Sequence, residues 1–119
     1  MMIEFAVPGK PVPKGRPRVM KGGWTFTPKK TLIQENAVRL VAMARRQAAK
    51  VLISGASFRL QVICYGAHPL ADWDNLGKLV SDALNGIFWE DDRQVIDAHV
   101  MKLPCRKGDE QTLVRIEAL

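Results

Sequence analysis

Seven consecutive residues, Asp72-Trp73-Asp74-Asn75-Leu76-Gly77-Lys78, set two carboxylates and an ammonium side by side, and a second acidic run, Glu90-Asp91-Asp92, follows after a short apolar stretch. Within that stretch Leu76, Leu79, Val80, Ala83, Leu84 and Ile87 recur at helical spacing. The segment from Leu76 to Ile87 therefore reads as an amphipathic helix that Asn85-Gly86 ends, with Lys78 and Asp82 on its polar side. Carboxylates of this kind suit a hard divalent cation such as Mg2+, which takes one or two of them and fills its shell with water and phosphate oxygens. A cation so held acidifies a bound water and offsets charge developing at phosphorus. The residues point to metal-assisted attack on a polyanion.

Each acid also has a plain structural use. Asp74 or Asn75 can cap the helix, Asp72 can sit at its positive end, and Asp91-Asp92 can form a turn. Spacing favours a joint role. Asp72 and Asp74 are alternate residues and leave the same side of an extended segment. Asp74 and Lys78 are neighbours on a helix surface. A reversal at Asn85-Gly86 can return the second acidic run towards the start of the helix. No His/Cys set competes for the metal: His68 and His99 read as surface or hydrogen-bonded histidines, and Cys64 and Cys105 as reduced thiols, packed or partly exposed.

Charge is unevenly spread. Residues 1–30 carry +6, residues 31–70 carry +4 and residues 71–119 carry −4, for a total of +6. A polycationic first part is a footprint of nucleic-acid binding, with a merely solvated basic face as the alternative. The run Lys10-Pro11-Val12-Pro13-Lys14-Gly15-Arg16-Pro17-Arg18 is the densest part of it. Its prolines exclude helix and central strand, leaving an extended loop from which Lys10, Lys14, Arg16 and Arg18 can reach phosphates. Hydrophobic residues at 47% and charged residues at 25% suffice for a folded core and argue against disorder. No apolar run approaches the roughly 20 residues a membrane span needs, and the first residues lack the pattern of a signal peptide, so a cytoplasmic protein is expected.

The elements that must position these residues follow from periodicity and punctuation. Ile3 to Val7 reads as a strand, and Arg18 to Met20 with Trp24 to Thr27 as a small hairpin. A long helix is expected from Pro28 to about Leu52 or Ile53, with Thr27 as its cap and Ser54-Gly55 as its stop. Its expected apolar face is Leu32, Ile33, Val38, Leu40, Val41, Ala44, Ala48 and Val51, with Lys29, Arg39, Arg45, Arg46 and Lys50 as solubilising cations opposite. Ser57 to Tyr65 alternates as a half-buried strand. Gln94 to Leu103 and Gln111 to Leu119 read as two strands forming a closing hairpin around the loop Pro104 to Glu110. The whole predicts one α+β domain over residues 1–119: a mixed sheet with one long and one short helix packed on it.

Asp72-Trp73-Asp74-Asn75-Leu76-Gly77-Lys78, then Ser81-Asp82-Ala83-Leu84-Asn85-Gly86, then Phe88-Trp89-Glu90-Asp91-Asp92-Arg93-Gln94-Val95 resemble the RusA family of Holliday junction resolvases, and the basic opening Gly9 to Arg18 is similar to that family's opening. The resemblance spans nearly the whole chain. It implies a dimeric, Mg2+-dependent endodeoxyribonuclease that cuts four-way DNA junctions symmetrically, in recombination and repair. It places the catalytic, metal-holding aspartates at Asp72, Asp74 and Asp92 and the catalytic-site lysine at Lys78. A nuclease for flaps or other branched DNA, and a non-catalytic DNA-binding module, are the alternatives; only the module works without metal and never cuts.

Overall fold

Alternation along short β-prone segments gives a sheet one apolar face. The computed structural model describes residues 2–15, 18–23, 25–49 and 55–119. Strand β1 (Met2–Pro8) buries Ile3, Phe5 and Val7 and exposes the residues between them. After a two-stranded antiparallel ribbon, β2 (Arg18–Val19) and β3 (Thr25–Phe26), come helix α1 (Lys29–Ala49), strand β4 (Phe58–Tyr65), helix α2 (Trp73–Ala83), strand β5 (Val95–Leu103) and strand β6 (Gln111–Ala118). The ribbon matches the expected small hairpin, although Trp24 lies outside the described residues.

The four long strands form one mixed sheet in the order β1-β6-β4-β5, and α2 is the crossover joining the parallel pair β4 and β5. Parallel neighbours require such a crossover, and a helix is its usual form. The expected closing hairpin is corrected here. Strands β5 and β6 do not pair; β6 lies between β1 and β4, antiparallel to both. The segment from Pro104 to Glu110 is thus a crossing loop rather than a hairpin turn. Insertion at the centre hydrogen-bonds β6 on both edges and buries Val114 and Ile116 completely.

Both helices contact strands of this sheet and each other, and one apolar core lies between the two layers. Phe58, Leu60, Val62, Cys64, Val114 and Ile116 enter it from the sheet; Leu76, Leu79, Val80 and Ala83 enter it from α2. The other sheet face carries charge: Arg59 bonds Asp97 and Glu117, and Arg115 bonds Glu4.

Helix α1 turns a different face to the core from the one its aliphatic residues suggest. Thr31, Gln34, Val38 and Ala42 are buried, at i, i+3, i+7 and i+11. Leu32, Ile33 and Leu40 are exposed, the last by 69%. Ala44 and Ala48 are exposed too, Val41 is half-buried, and Val51 lies outside the described residues. The helix starts at Lys29, with the Pro28 carbonyl accepting from the Leu32 amide; its expected end at 50–54 is also outside the described residues. Arg39, expected to be a solubilising cation, donates from Nη1 to the carbonyls of Ala83 and Asn85 at 2.8 and 3.2 Å. It caps the C-terminal end of α2, where unpaired carbonyls and the helix dipole favour a cation.

Candidate active site

Helix α2 begins earlier than its apolar pattern alone suggests. Trp73 is its first residue and Asp72 its N-cap, in extended conformation. The Asp72 carboxylate makes no capping bond; its Oδ2 accepts instead from Asn75 Nδ2 at 3.3 Å. Asp74 lies inside the first turn, where Oδ1 accepts from the Asn75 amide at 2.9 Å. The two acids therefore belong to different backbone conformations, and the common extended segment expected of them is corrected. All six apolar residues singled out between Leu76 and Ile87 are buried, yet the helix ends at Ala83 with Leu84 as C-cap.

Gly77 lets α2 lie against the sheet. A methyl group there would stand 2.7 Å from Val100 Cγ2 on β5. Close approach of helix and strand shapes the cavity between them, about 310 Å³, lined by Asp74, Lys78 and Asp92 together with Trp73, Ser81 and Ala98. Asp72 is not among its lining residues. Upstream, Lys102 on β5 donates to the carbonyls of Pro69 and Ala71 at 3.0 and 2.8 Å, which ties down the connection leading into Asp72.

Asp92 reaches this cavity because the chain doubles back after α2. Ile87, Phe88 and Trp89 are buried under the sheet, Trp89 tilted against Phe58 at 5.5 Å and bonded through Nε1 to Asn85 Oδ1 at 3.0 Å. The acidic run is thereby delivered to the start of β5. There the two aspartates separate in role. Asp91 caps a 3-10 turn over Asp92–Gln94: its Oδ1 accepts from the Arg93 amide at 2.8 Å, and Gln94 Oε1 accepts from the amides of Glu90 and Asp91. Asp92 faces the cavity. Loss of solvent, a hydrogen bond with Asp91 and the nearby Asp82 charge raise its carboxyl above the ordinary aspartate value, against the pull of Lys78.

One acid that sequence reasoning left on the polar side of the helix proves central to the charge arrangement. Asp82 lies 3.5 Å from Lys78 Nζ through Oδ1 and 3.4 Å from Lys14 Nζ through Oδ2. Lys14 also pairs with Glu35 on α1. Burial works against the Lys14 ammonium, but Glu35 and Asp82 outweigh it and raise its pKa above the ordinary lysine value. The Lys14 amide donates to the Asn75 carbonyl at 2.8 Å, and the Gly15 amide to Thr31 Oγ1 at 2.9 Å. The basic loop is thus fastened to both helices. Of its four candidate phosphate contacts, Lys10 is exposed and Lys14 is engaged by two acids. Arg16 lies outside the described residues, and Arg18 is placed only as backbone of β2.

The histidines and cysteines behave as their lack of metal spacing suggests. His99 bonds Asp97 at 2.8 Å, His68 Nδ1 accepts from the Leu70 amide, and both thiols are free. Among the described residues no group of three or more His, Cys, Asp or Glu is gathered as a metal cluster. The donor set nevertheless fits a hard cation. Two carboxylates, Asp74 and Asp92, open on one cavity with room for water and phosphate oxygens, which is the usual protein share of a Mg2+ shell.

A mixed sheet with a parallel crossover, carrying carboxylates and a lysine where the crossover helix meets the sheet, makes an α+β domain with a candidate metal-holding cavity. The family model for endodeoxyribonuclease RusA matches residues 8–117, nearly the whole chain. The chain belongs to that family, which implies a Holliday junction resolving endonuclease. No curated protein matches the chain. No helix among the described residues is long and apolar enough to cross a membrane.

Proposed function

We propose that this chain is a Mg2+-dependent endodeoxyribonuclease that resolves four-way DNA junctions by symmetric phosphodiester hydrolysis, in recombination and repair and in the cytoplasm. The observation that carries the reading is the convergence of Asp74, Lys78 and Asp92 on one cavity in a chain whose first part is cationic. Asp74 and Asp92, which line the cavity, would hold the cation, and Asp72, at the N-terminal end of α2, would supply the third carboxylate. Bound there, Mg2+ would lower the pKa of a water and offset charge at the scissile phosphate. Lys78, steadied by Asp82, holds a phosphate oxygen. Lys10, with Arg16 and Arg18 of the same basic run, contacts flanking phosphates.

A four-way junction offers two equivalent strands, and a two-fold homodimer matches them with one centre each. Flaps and other branched DNA remain a second substrate class, because the same centre acts on any phosphodiester brought to it. The test is incubation of the protein with a mobile four-way junction, a flap and a linear duplex, with and without Mg2+. Symmetric nicks in the junction, absent without Mg2+ and absent in Asp74→Asn, are expected. Cleavage that persists without divalent metal ends the metal reading, and junction binding with no cleavage leaves only a binding module.

A further inference from the structure

A second cavity lies against the proline-rich loop. It is about 530 Å³, set between that loop, the first turns of α1 and the connection after β4. Pro11 and Ile33 give it apolar walls, Lys10 and Lys30 are exposed cations at its border, and His68 closes one side. Among the described residues no carboxylate lines it. His68 Nδ1 accepts from the Leu70 amide at 3.1 Å, so the neutral ring carries its proton on Nε2, as a donor.

Gln34 points to what the cavity takes. It is only 9% exposed, yet its side-chain amide makes no hydrogen bond among the described residues. No fully enclosed side-chain polar atom lacks a partner in the described residues, so the Gln34 amide meets its needs through the cavity it lines. An amide offers a donor and an acceptor together, which is what the edge of a nucleobase matches. Apolar walls suit the faces of the base, and the two lysines suit its phosphate.

Reach favours the same ligand. Lys10 is four residues from Lys14, whose backbone is bonded to α2, so at most about 14 Å of chain separates the two. His68 lies four residues before Asp72. Both connections tie the second cavity to the start of α2 by short lengths of chain.

We infer that the cavity between the proline-rich loop and α1 binds one unstacked nucleotide of the DNA, its base edge on Gln34 and its phosphate on Lys10 and Lys30. The inference rests on the reading of the chain as a DNA endonuclease. An unpaired nucleotide is what a branch point can offer and an intact duplex cannot, so the cavity contributes structure selectivity without reading sequence.

The probes are a fluorescent five-nucleotide oligothymidylate and an abasic oligomer of equal length, titrated by anisotropy without metal. The oligothymidylate should bind roughly tenfold tighter, the range expected for one base stacked and bonded. Gln34→Leu should erase that advantage and leave the abasic affinity unchanged, with its thermal midpoint reporting that it folds. Lys30→Gln, a surface change, should weaken both probes. Equal affinity of the wild type for the two probes overturns the inference, as does Gln34→Leu that folds and still discriminates. Oligothymidylate affinity that falls as protein concentration rises marks a second copy in the cavity and also overturns it. Metal-dependent junction cleavage, measured in parallel, separates the readings: cleavage without discrimination removes only the nucleotide site, and discrimination without cleavage removes only the nuclease.

Discussion

Lys14 Nζ lies 3.4 Å from Asp82 Oδ2, and Asp82 in turn holds Lys78, so a cation of the basic loop is locked into the charge arrangement of α2. Sequence alone makes Lys14 and Lys10 equivalent members of one phosphate-binding run. Their surroundings make them different. Lys14 answers Glu35 and Asp82, whereas Lys10 is exposed and faces no acid in the cavity it lines.

Single substitutions should separate the two. Lys10→Ala is expected to lower the log–log salt slope of DNA binding by about one, the value of one lost phosphate contact. Lys14→Ala should leave that slope nearly unchanged and instead reduce stability by about 1–2 kcal/mol, because two partly buried carboxylates lose their cation. It should also slow cleavage by loosening Lys78. Denaturant titration and salt-dependent anisotropy read both effects. A slope that falls by one in Lys14→Ala, with stability intact, makes Lys14 a phosphate contact after all.

How far the sequence spoke depended on whether a residue's partners were local. The buried side of α2 was legible because six apolar residues repeat at one spacing and all six are buried. The buried side of α1 was not, since Thr31, Gln34 and Ala42 make the contact while the more conspicuous Leu32, Ile33 and Leu40 face outward. The convergence of Asp74, Lys78 and Asp92 on one cavity was foreseeable from spacing and a chain reversal. The parts played by Lys102 and Arg39 were not, because each holds backbone carbonyls about thirty or more residues away in sequence. The position of β6 was hidden for the same reason: strand order is a tertiary outcome, and adjacency in sequence favoured a hairpin.

The two neighbouring aspartates give a sharper test of the centre. Asp92→Asn should lose at least a hundredfold in cleavage while retaining junction binding, since it keeps its shape but loses a charge facing the cavity. Asp91→Asn should cleave at close to the normal rate, because Asn serves as a cap nearly as well as Asp. Asp72→Asn and Asp74→Asn should follow Asp92. Normal cleavage by Asp92→Asn alongside loss in Asp91→Asn reverses the assignment of the third ligand.

Gly77 tests the closeness of helix and sheet. Alanine is the better helix former by about 1 kcal/mol, so propensity alone predicts that Gly77→Ala stabilises. The new methyl meets a stiff β-branched side chain at 2.7 Å, and overpacking of this kind costs typically 1–3 kcal/mol. A net loss of about 1–2 kcal/mol is expected, with reduced cleavage as α2 lifts from β5. Val100→Ala in the same chain should restore part of the loss, so the pair is less damaging than the two single changes added. Stabilisation by Gly77→Ala alone shows that the sheet yields without difficulty and that the close approach does not fix the cavity.

Cys64 is expected to set the alkaline limit of the fold. Its side chain is buried on β4, and loss of solvent pushes the thiol from 9.0 up to about 11, with Lys102 pulling the other way. A thiol is neutral when protonated, so a folded-state pKa above the unfolded one means that the unfolded chain releases its proton first as pH rises. The stability linked to Cys64 is therefore fully present below pH 9 and is lost between pH 9 and about 11. A two-unit difference corresponds to about 3 kcal/mol. Denaturant titrations at pH 8 and pH 11 should show that loss in the wild type and a clearly smaller one in Cys64→Ala. The alanine variant starts lower because it leaves a small cavity, but only the change with pH is compared. Lys14 acts in the same direction at still higher pH, since its raised pKa keeps its ion pairs until the ammonium itself deprotonates. Parallel loss in both proteins across this window shows that the buried thiol does not set the alkaline limit.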